Sequence, residues 1–364
     1  MRITSKISAD NAIYSINLGR ERMDRLNEMI TTQQRINSPS QDPVAAKKIL
    51  DLETQIKSTD QYISNIKNGT LWLDMVGNTV EGVLSSAMEV KSIAAQAVGG
   101  IKDPVKKNEM LTSLQLYRDQ LLDIPNTAVV GDQYVFSGYN SNVRPFPITK
   151  VTADTTLGSN VINNIDTTNF TPGMPISGPG IPGNSIVTAI TTAGPGGAVT
   201  ISNAAIASAT GVSLSFKGLF AGTDDPLNVE ISGGLEVNVN VTGGTLLRGT
   251  TPGSMDMIKT LDQLMLNITN DNLAGVATSV TELDQVTKEI MNTVSDVGMR
   301  KARLENALNA QDRKNNVLKT VRSGLQEVDM AKAATDLTNM KTAFEAALAA
   351  TAKITPLSLL DYLR

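Results

Sequence analysis

Residues 49–94 read ILDLETQIKSTDQYISNIKNGTLWLDMVGNTVEGVLSSAMEVKSIA. Ile49, Leu52, Ile56, Ile63, Ile66, Leu73, Val80, Leu84, Ala87 and Ala94 fall on a seven-residue repeat. They fill ten of its fourteen consecutive a and d positions, with Thr59, Thr70, Gly77 and Lys91 as the exceptions. An apolar spacing of about 3.5 residues held this long makes a narrow stripe, which a helix must bury against another helix. Ile49, Leu52, Ile56, Ile63, Ile66, Leu73, Val80 and Leu84 are therefore read as the seam of a rod formed within one chain.

The expected partner lies near the other end of the chain. From about Ser254, Ile258, Leu261, Leu264 and Ile268 share one helical face. After a break at 270–272 the pattern resumes through Val276, Val280, Leu283, Val286, Ile290, Val294 and Val297. Leu304, Leu308, Leu318, Val321, Leu325 and Val328 carry it further. Working outward from the seam, Asp42 reads as an N-cap with Pro43 at the first helical position. Gly99-Gly100 stops the long helix, and Asp103-Pro104 starts another through Met110, Leu114, Tyr117 and Leu121.

Both extremes of the chain carry thinner apolar faces. Ile13, Ile16, Met23, Leu26 and Ile30 line one side of the first helix. Leu337, Met340, Phe344, Leu348, Ile354, Leu359 and Leu360 line the last, among many alanines. Short isolated helices are marginal in water, so these twelve residues are expected to form an assembly interface. The segment between is of another kind: residues 141–254 hold ten charged side chains in 114 positions, and Thr, Ser, Asn, Gly and Pro abound. Val199-Thr200-Ile201, residues 212–216, Val229-Glu230-Ile231 and residues 235–241 alternate with period two, which reads as half-buried antiparallel strands.

The fold class is thus α+β: an elongated antiparallel helical bundle or coiled coil from the N- and C-terminal regions, with an inserted all-β domain. The expected division is 1–36 and 325–364 as terminal helices, 37–141 and 255–324 as a helical rod, and 142–254 as an outward-facing β domain.

Composition narrows the function. The chain has no cysteine and no histidine, which removes thiolate chemistry and the side chain best suited to proton transfer near neutral pH. No catalytic, cofactor-binding or metal residues are assigned, and the protein is read as a non-enzyme. A net charge of −4 lacks the basic excess that nucleic acid demands. The first residues have no signal-peptide pattern, and no stretch approaches the roughly 20 apolar residues of a membrane span. The Gly-rich runs at 178–180 and 194–197 lack the Lys-Ser/Thr of a phosphate loop.

Several motifs then occur in order. Arg35-Ile36-Asn37-Ser38-Pro39-Ser40-Gln41-Asp42-Pro43-Val44-Ala45-Ala46 resembles the R-I-N-x-P-S-D-D-P-V-A-A signature of the bacterial flagellin superfamily. Residues 131–139 resemble its G-x-Y-x-F-x-G element, with Pro145-Phe146 following. Val297-Gly298-Met299-Arg300 and Leu304-Glu305 are similar to I-G-A-R and L-E. Within the superfamily, the Pro-Ser-x-Asp-Pro turn and the terminal Ser358-Leu359-Leu360-Asp361-Tyr362-Leu363 are most like the hook–filament junction proteins. Gln41 departs from the pattern where an Asp is usual.

The resemblance implies a structural component of the bacterial flagellum, an adaptor between hook and filament. Implied partners are further copies of itself in a ring, hook-associated protein 1, flagellin, and an export chaperone on the C-terminal helices. No nucleic acid and no membrane insertion are implied. Its place would be extracellular, reached through the flagellar type III apparatus without a cleaved signal. The alternatives are a filament flagellin, or a rod displaying a glycan-binding β domain.

Overall fold

The computed structural model describes the backbone of residues 2–130 and 133–360, and the side chains of residue 7, residues 10–127 and residues 133–352. Among the described residues, six α-helices flank a β-rich middle stretch of the sequence: α1 (Arg2–Thr32), α2 (Pro43–Ala97), α3 (Pro104–Asp123), α4 (Met257–Thr269), α5 (Leu273–Gln326) and α6 (Met330–Leu360). Their starts follow the local chemistry. The carboxylates of Asp42, Asp103 and Asp256 accept from the backbone N–H of Ala45, Val105 and Lys259 at 3.0, 2.9 and 2.8 Å. Each satisfies an otherwise orphaned donor of the first turn. Asn272 and Asp329 cap α5 and α6 in the same way.

Two compact units are present, Met1–Gln61 with Ala310–Arg364, and Tyr62–Asn309. In the first, α1 pairs with α6, and the connecting segments meet in an antiparallel bridge between Gln34 and Glu327. Arg35 donates from its backbone N–H to Gln326 O (2.7 Å) and from its guanidinium to Leu325 O (2.9 Å). A cation over the last carbonyls of α5 complements the negative end of the helix dipole. Ile36, Ala45 and Ile49 form a small core here with Leu325. Gln41 keeps the turn closed despite replacing an acid, because its side-chain carbonyl accepts from Asn37 N at 3.0 Å.

In the second unit, one core runs through α2, α3, α4 and α5, from Ile66, Leu73 and Val80 to Leu121, Leu261, Leu283, Ile290 and Leu304. Antiparallel α2 and α5 are tied on their rims by Lys91–Asp284 and by Lys301–Asp74 at 2.6 Å. The seam differs from the heptad expected. Ile49, Ile56, Ile63, Ile66, Leu73 and Val80 are buried, whereas Leu52 and Leu84 are only half-buried. Beyond Ile66, Gly69, Val76, Val83 and Val90 are buried as well, each one position before Thr70, Gly77, Leu84 and Lys91, which are not. Two successive three-residue steps, 63 to 66 to 69, shift the register as a stammer does.

The cause is a hairpin, β8 (Asn228–Ser232) with β9 (Leu235–Asn238), lying over α2. A methyl group at Gly69 would stand 3.2 Å from Val239 Cγ1 and 3.4 Å from Leu304 Cδ1. Asn65 Nδ2 also donates to Glu230 O at 3.2 Å. A helix covered on two flanks buries a wider stripe than a two-helix seam does.

The region 142–254 accordingly has two parts. Ile231, Val237, Val239, Val241, Leu246 and Leu247 belong to the helical core, together with a π-helical turn at Gly244–Arg248. Before it, β3 (Thr149–Thr155), β4 (Val161–Ile165), β5 (Val187–Thr192), β6 (Gly197–Ile201) and β7 (Ala209–Phe216) form an antiparallel sheet ordered β5-β6-β4-β3-β7. Pro175 bridges Ile186 before β5, and Ser177 bridges Ser215 on β7. The segment between them thus curls the sheet toward a barrel around its own core of Ile162, Ile165, Met174, Ile176, Val199 and Leu214. A short hairpin, β1 (Ala128–Val130) with β2 (Gln133–Tyr134), precedes this domain.

A neck joins barrel and helices. The N–H of Ala221 donates to Pro145 O at 2.8 Å. Asn126 accepts from Phe146 N and donates to Phe146 O, and the rings of Phe146 and Phe220 lie 5.7 Å apart. The barrel is also clamped sideways. Arg118 on α3 pairs with Asp262 on α4 and donates to Lys217 O at 3.0 Å. Gly173, with φ +97, sits so close to α4 that a side chain there would strike Asp262 O.

Candidate assembly interface

The residues expected at an interface lie on the pair α1 and α6. Gly19 packs against α6, since a methyl group there would be 3.3 Å from Phe344 Cδ2. Ile16, Met23, Leu26 and Ile30 on α1 and Leu337, Met340 and Phe344 on α6 are half-buried. Ile13 and Leu348 remain 54% and 44% exposed. Among the described side chains of these two helices, only Ala333 is buried. Two helices that pair and still leave both apolar stripes wet have not completed a core. The side chains of Ile354, Leu359 and Leu360 lie outside the described residues.

Leu26 and Met340 come together in an apolar groove of about 630 Å³, with Met29 and Ala343 on its walls and Arg22, Arg25, Arg35 and Asp336 among its lining. Met29 and the arginines are not among the residues expected at the interface from the apolar spacing. The spacing of Arg22, Arg25, Leu26 and Met29, three and four residues apart, was the available signal.

Two acids outside this pair, Asp262 and Asp256, are held in ion pairs. Arg118 Nε lies 2.5 Å from Asp262 Oδ1, and both side chains are 1% exposed. Burial pushes the Asp262 carboxyl up, opposed by the Arg118 guanidinium. Burial likewise raises Asp256, with Arg248 opposing at 3.3 Å. Among the described residues, no group of three or more Asp or Glu side chains is placed to hold a metal ion. No described helix is long and apolar enough to cross a membrane.

Two family models describe the helical parts. The bacterial flagellin N-terminal helical region matches residues 3–141, and the C-terminal helical region matches residues 280–363. The chain belongs to the bacterial flagellin family. In flagellin terms, the matched segments hold α1, α2, α3 and α6 with most of α5, while the barrel, the β8–β9 hairpin and α4 lie in the unmatched middle.

Flagellar hook-associated protein 3 of Salmonella typhimurium is 24% identical over 146 residues, which are 40% of this chain and 46% of that protein. The Escherichia coli protein of the same name is 23% identical over the same shares. The chain therefore spans about half the length of the curated relatives it matches. A solved structure described as a flagellar hook-associated protein of Vibrio parahaemolyticus aligns with 79% of this chain and all of its own, at 17% identity and a TM-score of 0.54. That likeness concerns the fold.

Proposed function

We propose that this flagellin-family chain is a structural part of the bacterial flagellum, working as an adaptor between hook and filament. The observation that carries the reading is the pair α1 and α6, whose apolar stripes stay half-exposed at Leu26, Met340, Phe344 and Leu348. Such stripes gain stability when further copies complete the core around them. The two relatives named flagellar hook-associated protein 3 favour the junction over the filament as the place of assembly. The terminal helices then join copies into a ring, with hook-associated protein 1 on one side and flagellin on the other. Before assembly, the same wet stripes suit an export chaperone on the C-terminal helices, and the route is type III export to the cell exterior.

Deleting the gene tests this. A junction adaptor's loss leaves hooks in electron micrographs and releases flagellin monomers into the medium. Intact filaments, or a medium lacking flagellin while flagellin is still synthesised, would overturn the reading. A filament subunit's loss would instead remove the filament protein itself.

A further inference from the structure

The seam in unit Met1–Gln61 with Ala310–Arg364 contains a layer that does not follow the apolar rule. Thr59 on α2 is fully buried, its hydroxyl donating to Gln55 O at 2.8 Å. On α5, Gln311 and Asn315 stand one turn apart and are 7% and 5% exposed. The Asn315 side-chain amide donates to the Asp60 carboxylate, which Lys319 Nζ also approaches at 4.0 Å. The Asn315 side-chain carbonyl is buried with no hydrogen-bond partner.

Two further observations bear on this layer. The remaining core of the unit is thin: the separate cluster of Ile36, Ala45 and Ile49 with Leu325, and the buried Ile56 and Ala333 outside that cluster, whereas the continuous core of the other unit begins at Ile66 and Leu304. The boundary between the compact units falls at 61/62 and 309/310, within a turn or two of the polar residues on both helices.

We propose that Thr59, Gln311 and Asn315 form a built-in breakpoint. Residues 43–61 and 310–326 open and reclose as a cooperative element of their own while Tyr62–Asn309 stays folded. A polar layer binds two helices less tightly than an aliphatic one, and an unsatisfied buried carbonyl raises the cost of the closed state. The helical stretches beyond the layer are too short to hold by themselves. Segments with few buried apolar contacts are those from which local opening is drawn. The same layer makes reclosing accurate: only one antiparallel register brings Asn315 to Asp60, as a single polar layer fixes register in coiled coils.

Native-state amide exchange on the full-length monomer tests this. In the wild-type chain, residues 44–58 and 312–326 should exchange through one shared opening, at least roughly a hundredfold more often than residues 73–97 and 276–304. The Thr59→Val, Gln311→Leu, Asn315→Leu triple variant should raise protection of the first pair about tenfold or more and leave the second pair unchanged. Equal opening of both pairs in the wild type, or a triple variant without selective protection, overturns the proposal. Brief trypsin digestion of the wild type needs no variant. First cuts after Lys57, Arg313 or Lys319 support the breakpoint, and first cuts after Lys91 or Arg303 overturn it.

Discussion

Arg118 and Asp262 form a completely buried ion pair, Nε to Oδ1 at 2.5 Å, that binds α3 to α4 beneath the barrel. Removing one partner strands the other charge in a dry site, at a cost of about 3–5 kcal/mol. Arg118→Met and Asp262→Leu should each lose stability of that order in urea unfolding. The double variant should recover most of it, because apolar replacements of similar volume are close to neutral. Two single losses below about 1 kcal/mol would mean the pair is not desolvated as the structure has it.

Gly69→Val should destabilise by about 1–3 kcal/mol, as expected of an overpacked site. Its added methyls meet Val239 and Leu304, so amide exchange should quicken in β8 and β9 before it does in α3. An equally stable variant with an unchanged hairpin would contradict the register shift described at this glycine.

Asp74 holds the Lys301 ammonium above its ordinary 10.5, through its hydrogen bond first and its charge second. A lysine with a raised folded-state value contributes stability that is fully present below 10.5 and lost as pH climbs through the raised value. The stability difference between wild type and Asp74→Asn should therefore shrink across alkaline pH. High salt should shrink it too, since the pair is exposed. A difference that persists unchanged at strongly alkaline pH would exclude the ion pair as its source.

Leu348→Asp places a charge on the wet stripe of α6, where assembly would bury it unpaired. Swimming should be lost, while unfolding followed by fluorescence of Trp72, the single tryptophan, should match the wild type. Normal swimming by this variant would remove α6 from the assembly interface.

Much of the helical architecture was legible because its signals are local. Asp42-Pro43 and Asp103-Pro104 start helices where capping chemistry says they should, and the break at 270–272 separates α4 from α5. Of the residues expected on the seam, Ile49, Ile56, Ile63, Ile66, Leu73 and Val80 are buried; the heptad phase is lost at Gly69, because the hairpin that widens the stripe lies more than 150 residues away in sequence. Val321 was read as part of the helical face yet is 46% exposed. Gln311 and Asn315 were missed because a search for apolar spacing steps over polar residues between Leu308 and Leu318. Low charge marked residues 141–254 as different but could not separate the barrel from the hairpin, since both show the same period-two pattern. The groove beside Leu26 and Met340 depends on how two helices distant in sequence meet, and helical periodicity alone does not fix that meeting.

The neck at Pro145, Phe146, Phe220 and Ala221 has a further consequence. The chain leaves the helices and returns to them at adjacent points already hydrogen-bonded to each other. Whatever folds between residues 147 and 217 adds little closure entropy to the scaffold below, because that cost grows only slowly with loop length. The position behaves as a splice site: a passenger of different length and chemistry can occupy it without re-registering the helices.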